Sequence, residues 1–236
     1  QLNTLGHING TSATDSKGRT WKAMSDASIR TERKSEGRTV SAGDSYSCEV
    51  VTPILQYDDL EDLQNIVRAL REAGAIANSS CGIHVHVDGA NHTPESLTRL
   101  MNFAIGRQDL FYEALEIGDR ANRWCKKMNK NLFKAMKADE IKSAASLERI
   151  WYSSVNDGYS GGISHEHYNS SRYHGINLHA FFTKGTVEFR LFNGTTHAGK
   201  IKAYVQFCLA MSAWAINCPN DNLFFKSWYK CVASYF

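Results

Sequence analysis

Residues 81–88 read CGIHVHVD, a β-branched run with histidines at two alternate positions, His84 and His86. A strand sends successive side chains to opposite faces, so both imidazoles share one face while Ile83, Val85 and Val87 share the other. One face is apolar; the other carries imidazole. Alternation alone specifies only a half-buried strand, and a lone H-x-H suits a solvated strand face as well as a metal or phosphate site. The polar faces of the other strands decide between the two.

Downstream, TVEFRLF at 186–192 alternates again, with Val187, Phe189 and Leu191 on one face and Glu188 and Arg190 on the other. INLHAFF at 176–182 sets Asn177 and His179 together, opposite Ile176, Leu178 and Ala180; with Lys184-Gly185 as the turn, the two segments read as an antiparallel hairpin. Upstream, YSCEVVTPIL at 46–55 reads as a strand ended by Pro53, with Glu49 on the parity of Val51. A carboxylate with an imidazole holds a divalent cation, and a guanidinium offers a fixed fork to phosphate or carboxylate oxygens. An exposed Glu188–Arg190 pair alone would contribute only about 0–1 kcal/mol and need no function. The same polarity recurs on separate strands, each with a continuous apolar back. That recurrence favours a binding site built from His84, His86, Asn177, His179, Glu188 and Arg190.

Between these strands the period changes to 3.6. In DDLEDLQNIVRALREAG, Leu60, Leu63, Ile66, Val67 and Leu70 form one stripe, with acids in the first turn and Gly74 as the stop. HTPESLTRLMNFAI opens a second helix with Thr93 as N-cap and Pro94 at the first helical position. More helix is expected to residue 150, so that 93–150 reads as a helical insertion, and HAGKIKAYVQFCLAMSAWAIN at 197–217 as a long amphipathic helix. RTERKSEGRTVSAGDS at 30–45 reads as a solvated loop, and 151–175, with His165 and His167, as a long functional loop.

Length and charge exclude several classes. The 236 residues suit one domain over 1–236, and a net charge of +3, with no dense basic tract, gives no support for nucleic acid. No run approaches the roughly 20 apolar residues of a membrane span, and QLNTLGHING lacks a signal-peptide core. Six cysteines without a C-x-x-C pair read as reduced thiols in a cytoplasmic protein, Cys208 as a small core residue. No glycine-rich P-loop is present.

The segments NSSCGIHVHVDGA, RANRWC and YHGINLHAFFTKGTVEFRLFNGTTHAGKIKAYVQFCLA, with EVVTPIL as a weaker upstream anchor, resemble the amidoligases. These are relatives of the glutamine synthetase and glutamate-cysteine ligase superfamily of ATP-dependent carboxylate-amine ligases. The resemblance implies an α+β fold, an antiparallel sheet curved into a half-barrel with helices packed outside and ATP and metal on its concave side. It implies His84, Glu188 and, less securely matched, Glu49 as metal ligands, His86 near the nucleotide, and Arg190 as the donor to the transferring phosphate. Asn177 would contact substrate or the groups around it; Arg120 and Cys125 match a motif without an assigned role. Mg²⁺ prefers oxygen ligands and Mn²⁺ accepts histidine more readily, so either is a candidate.

The substrates implied are a small-molecule or peptide carboxylate and an amine, joined through an acyl phosphate. Two alternatives stay open: a metal-dependent amide hydrolase, in which H-x-H also occurs, and a non-catalytic nucleotide- or metal-binding relative. The family's opening acidic strand, of the form G-x-E-x-E, has no counterpart before GRTWKAMSDASI. A truncated start with an unpaired sheet edge is therefore expected.

Overall fold

The computed structural model of the chain describes residues 2–4, 10–138, 141, 143–155 and 162–218. Two compact units emerge, Gln1–Cys81 with Gly194–Lys202, and Gly82–Asn193 with Ala203–Phe236.

In the first unit, β1 (Leu2–Thr4), β2 (Gly10–Thr14), β3 (Thr20–Met24) and β6 (Glu49–Val51) form an antiparallel sheet in the order β1-β2-β3-β6. Asp15 closes the β2–β3 turn by accepting the Lys17 and Arg19 amides, and its Oδ2 also takes the Trp21 indole at 3.1 Å, which sets that ring into the small core. Buried Asp59 takes Arg19 at 2.6 Å and also Lys17. It stands just before α1 (Leu60–Glu72), which buries Leu60 and Val67 on the expected stripe and stops at Gly74 with φ +92°.

The segment 30–45, expected to be loop, contains a hairpin of β4 (Glu32–Ser35) and β5 (Arg38–Ser41). Glu36 and Gly37 both take positive φ, 48° and 76°, the demand of a type I′ turn that matches strand twist. Val40 is the one apolar residue of the two strands and β5 is exposed along its length, so no apolar alternation marked them.

The second unit holds β7 (Gly82–Asp88), α2 (Pro94–Ala114), α3 (Lys130–Ala138), α4 (Ala144–Val155), β8 (Ile176–Asn177), α5 (His179–Lys184), β9 (Thr186–Asn193) and the part of α6 (Ala198–Asn217) from Ala203 on. The sheet runs β7-β9-β8, antiparallel throughout, and no sheet of the described residues closes into a barrel. Its apolar side meets the helices: Phe189, Phe192 and Leu178 join Leu100 and Phe103 of α2, Leu147 and Trp151 of α4, and Cys208 and Trp214 of α6 in one core. α2 starts as expected, with Thr93 and Ser96 exchanging side-chain to backbone hydrogen bonds and Pro94 at the first position.

Two expectations for this sheet need correction. INLHAFF is not a long strand: after Asn177 the chain turns into α5, because the Asn177 Oδ1 accepts the His179 amide at 2.8 Å and the Leu178 carbonyl accepts Phe181 and Phe182. Gly185, at φ +72°, ends α5 and returns the chain to β9. His179 thus leaves the strand face it was expected to share with Asn177.

The second correction is a β-bulge. Ile83 pairs with Phe192 but Val85 with Phe189, so Arg190 and Leu191 stand opposite the single residue His84. The extra residue makes Phe192, rather than Leu191, the continuation of the Val187–Phe189 row.

Candidate active site

Because β9 is central, Glu188 has a partner on each side: its Cα pairs with His86 of β7 and with Asn177 of β8. The three side chains lie in one row across the sheet, and strand parity adds His84 to the same face. His84 Nδ1 stands 3.6 Å and His86 Nε2 3.7 Å from Glu188 Oε1. Arg190 Nη1 donates to that same oxygen at 2.6 Å, and Asn177 Nδ2 to the other at 2.6 Å. His84, His86, Asn177, Glu188 and Arg190 are therefore brought together.

Their exposure differs sharply. Glu188 and Arg190 have side chains only 5% exposed, whereas His84 and His86 keep 33% and 36%. The carboxylate–guanidinium pair is thus a buried foundation, and the imidazoles are what a ligand meets. Burial pushes the Glu188 carboxyl up, but Arg190, the two imidazoles and the Asn177 amide outweigh it and hold it below the usual carboxylate value. Burial lowers His84 to about 3, helped by the Arg190 charge and opposed by Glu188. His86 is lowered by burial, against the pull of Glu188 and with the charges of Lys184, Arg190 and Arg172 adding to the effect. At neutral pH both rings are neutral and keep their lone pairs. The Thr186 hydroxyl at 2.8 Å from Nδ1 fixes the His86 ring.

Arg190 is held on several sides. Its Nε donates to the Trp124 carbonyl at 3.2 Å, its amide to Gly175 at 2.8 Å, and its guanidinium lies 5.7 Å from the Tyr173 ring centre. Asn177, 1% exposed, accepts the His179 amide at Oδ1 and donates from Nδ2 to Glu188, so it orients the carboxylate. His179 is buried beside the Tyr152 hydroxyl at 2.6 Å. His165 meets Glu148 at 2.5 Å, and His167 lies against the Tyr168 ring. Glu49 is exposed on β6 of the other unit, its Cα paired with Met24.

A divalent cation fits these groups poorly. The oxygen both imidazoles approach already carries the Arg190 guanidinium, and among the described residues no group of three or more His, Cys, Asp and Glu side chains is arranged to hold a metal ion.

The strand pattern carries no signal for Arg120 and Trp124, whose contacts with β9 come from a turn 66 to 72 positions away, or for Tyr173, which stands just before β8. For Arg120 and Trp124 the sequence signal is RANRWC, a motif match without an assigned role.

Antiparallel sheets backed by helices, with imidazole, carboxylate and guanidinium collected on a polar sheet face, define a mixed helix-and-sheet protein with an enzyme-like site. The family described as "Putative amidoligase enzyme" matches residues 6–212, and the chain belongs to that family. Membership is consistent with an enzyme that forms amide bonds. Neither a curated protein nor a solved structure matches the chain. Among the described residues no helix is long and apolar enough to cross a membrane.

Proposed function

We propose that this chain is an ATP-dependent ligase that joins a small-molecule or peptide carboxylate to an amine. A carboxylate oxygen attacks the γ-phosphorus of ATP, the bond to the β-phosphate oxygen breaks, and ADP leaves an acyl phosphate. The amine then attacks the acyl carbon; the C–N bond forms, the C–O bond to phosphate breaks, and phosphate departs as the amine loses its proton. Such transfers ask for positioning and charge neutralisation more than covalent help from the protein.

The observation that carries the reading is the Arg190–Glu188 pair, buried beneath two neutral, half-exposed imidazoles, in a member of an amidoligase family. Arg190 supplies positive charge under the reacting phosphoryl group, Glu188, itself oriented by Asn177, holds its fork, and His84 and His86 face the ligand. Mg²⁺ or Mn²⁺ accompanies the ATP phosphates in this proposal, as does a half-barrel arrangement of the catalytic domain; no step is assigned to the ion.

A screen of carboxylate and amine pairs with ATP and either metal, read as ADP and phosphate release and confirmed by product mass, tests the proposal. An amide product that depends on ATP is expected. Amide cleavage without nucleotide would make the chain a hydrolase, and nucleotide binding with neither product would make it a binding relative.

A further inference from the structure

We infer that Arg120 is a positioning residue that locks the bulge of β9 and thereby aims Arg190 at the reacting phosphoryl group. The functional half of this inference rests on the ligase reading; the structural half does not.

Arg120 sits in the 3-10 turn Gly118–Asn122 and is 4% exposed. Its Nη1 donates to the Phe192 carbonyl at 2.6 Å and approaches Asn193 Oδ1 at 3.4 Å, and its Nη2 reaches the Arg190 carbonyl at 3.4 Å. Those two carbonyls bracket Leu191, so the planar fork spans the residues that the bulge inserts opposite His84. A bulge leaves ladder groups without their usual partners, and a guanidinium is the side chain with enough fixed donors to replace two of them.

The same turn also grips Arg190 from the other end. The Arg120 carbonyl accepts the amides of Arg123, Trp124 and Cys125, and this folds the RANRWC segment so that the Trp124 carbonyl receives Arg190 Nε. Arg190 is therefore held at its own carbonyl by the Arg120 side chain and at its guanidinium by the turn that Arg120 closes. Neither contact touches the ligand-facing imidazoles. Gly82 makes room for the fork: a Cβ there would come within 2.2 Å of Arg120 Nη2.

Two substitutions disturb this contact from opposite sides. Arg120→Lys keeps the charge but loses the planar fork, and Gly82→Ala pushes the intact fork away. In uniformly labelled protein, the Arg190 Nε–H and the amides of Arg190 and Phe192 are followed by NMR hydrogen exchange. Each variant should raise their exchange at least tenfold while β7 amides from Val85 to Val87 stay as in wild type. On the substrate pair found by the screen, each should lower kcat by on the order of 10- to 100-fold, as expected for losing one or two charged hydrogen bonds, with KM for ATP changed less than about threefold.

Wild-type exchange at Arg190 Nε–H in both folded variants would overturn the inference, as would normal kcat despite raised exchange. Loss of melting temperature with unchanged kcat would leave Arg120 a packing residue only. If no substrate pair turns over, the ligase reading fails on its own, and the exchange experiment still decides whether Arg120 holds Arg190.

Discussion

At the scale of single residues, the Glu188–Arg190 pair decides most. Read from strand parity alone it belonged to a polar face, and Arg190→Lys would have affected turnover far more than folding. Burial changes that expectation, because each charge now depends on the other. Breaking a buried pair by removing one partner costs about 3–5 kcal/mol, whereas replacing both with apolar groups of similar volume is often far milder. We expect Glu188→Leu and Arg190→Leu each to lower the urea-unfolding free energy by about 3 kcal/mol, and the double variant to lose clearly less than the sum. Strict additivity would show that the pair is not coupled. All three should be inactive, and the double variant would separate lost chemistry from lost stability. A different residue contributes to the acid limb away from the site. His92 is buried between Ser96 and Ser212, at 2.9 and 2.7 Å, and burial lowers it from 6.5 to about 4. The unfolded imidazole takes up a proton before the folded one, so its contribution to stability is intact above about pH 6.5. As the pH falls toward 4 it is lost, up to about 3 kcal/mol. His92→Gln should make the fall of the unfolding free energy between those values shallower, with His84, lowered further to about 3, still contributing, and a slope identical to wild type would assign the acid loss to the other imidazoles.

At the scale of elements, local signals were legible wherever a helix or strand ended on its own chemistry. Thr93 shows this: its Oγ1 accepts the Ser96 amide at 3.2 Å, and Ser96 Oγ returns the bond to the Thr93 amide at 2.9 Å. Thr93→Ala should cost about 1 kcal/mol, measured as a drop in chemical or thermal midpoint, with Thr93→Ser close to neutral. Equal stability of the alanine variant would mean that α2 does not depend on its cap. The elements that escaped the sequence reading did so for identifiable reasons. INLHAFF suits a strand and a helix equally, since Phe and Leu pack well in both. What settles it is one side chain, Asn177, taking the His179 amide. β4 and β5 carry one apolar side chain, Val40, so period two left no trace, and only the backbone of Glu36 and Gly37 reveals the turn.

At the scale of the whole molecule, the continuous buried core described here, from Val87 to Cys218, lies entirely in the second unit. The first unit buries far less apolar surface, chiefly Trp21, Leu60, Val67 and Ile201, and relies on the charged cluster of Asp59 with Lys17 and Arg19. Protection from exchange follows buried apolar contact, so β2 and β3 amides should exchange faster than those of β7 and β9 under native conditions. Mass-spectrometric hydrogen exchange on peptides from each strand checks this, and equal protection would contradict it. The sequence by itself determined the strands at 82–88 and 186–193, the helices beginning at Leu60, Pro94 and Ala198, and the shared face of His84, His86, Glu188 and Arg190. These follow from backbone geometry within a few residues, which hydrophobic period and capping chemistry report directly. Only the tertiary structure decided that Phe192 and not Leu191 continues the apolar row, that Asn177 serves Glu188, and that Arg120 and Trp124 hold Arg190. Each of these depends on a hydrogen bond or a register set by partners elsewhere in the chain. Arg120 is separated from Arg190 by 70 positions, and no local period carries that information.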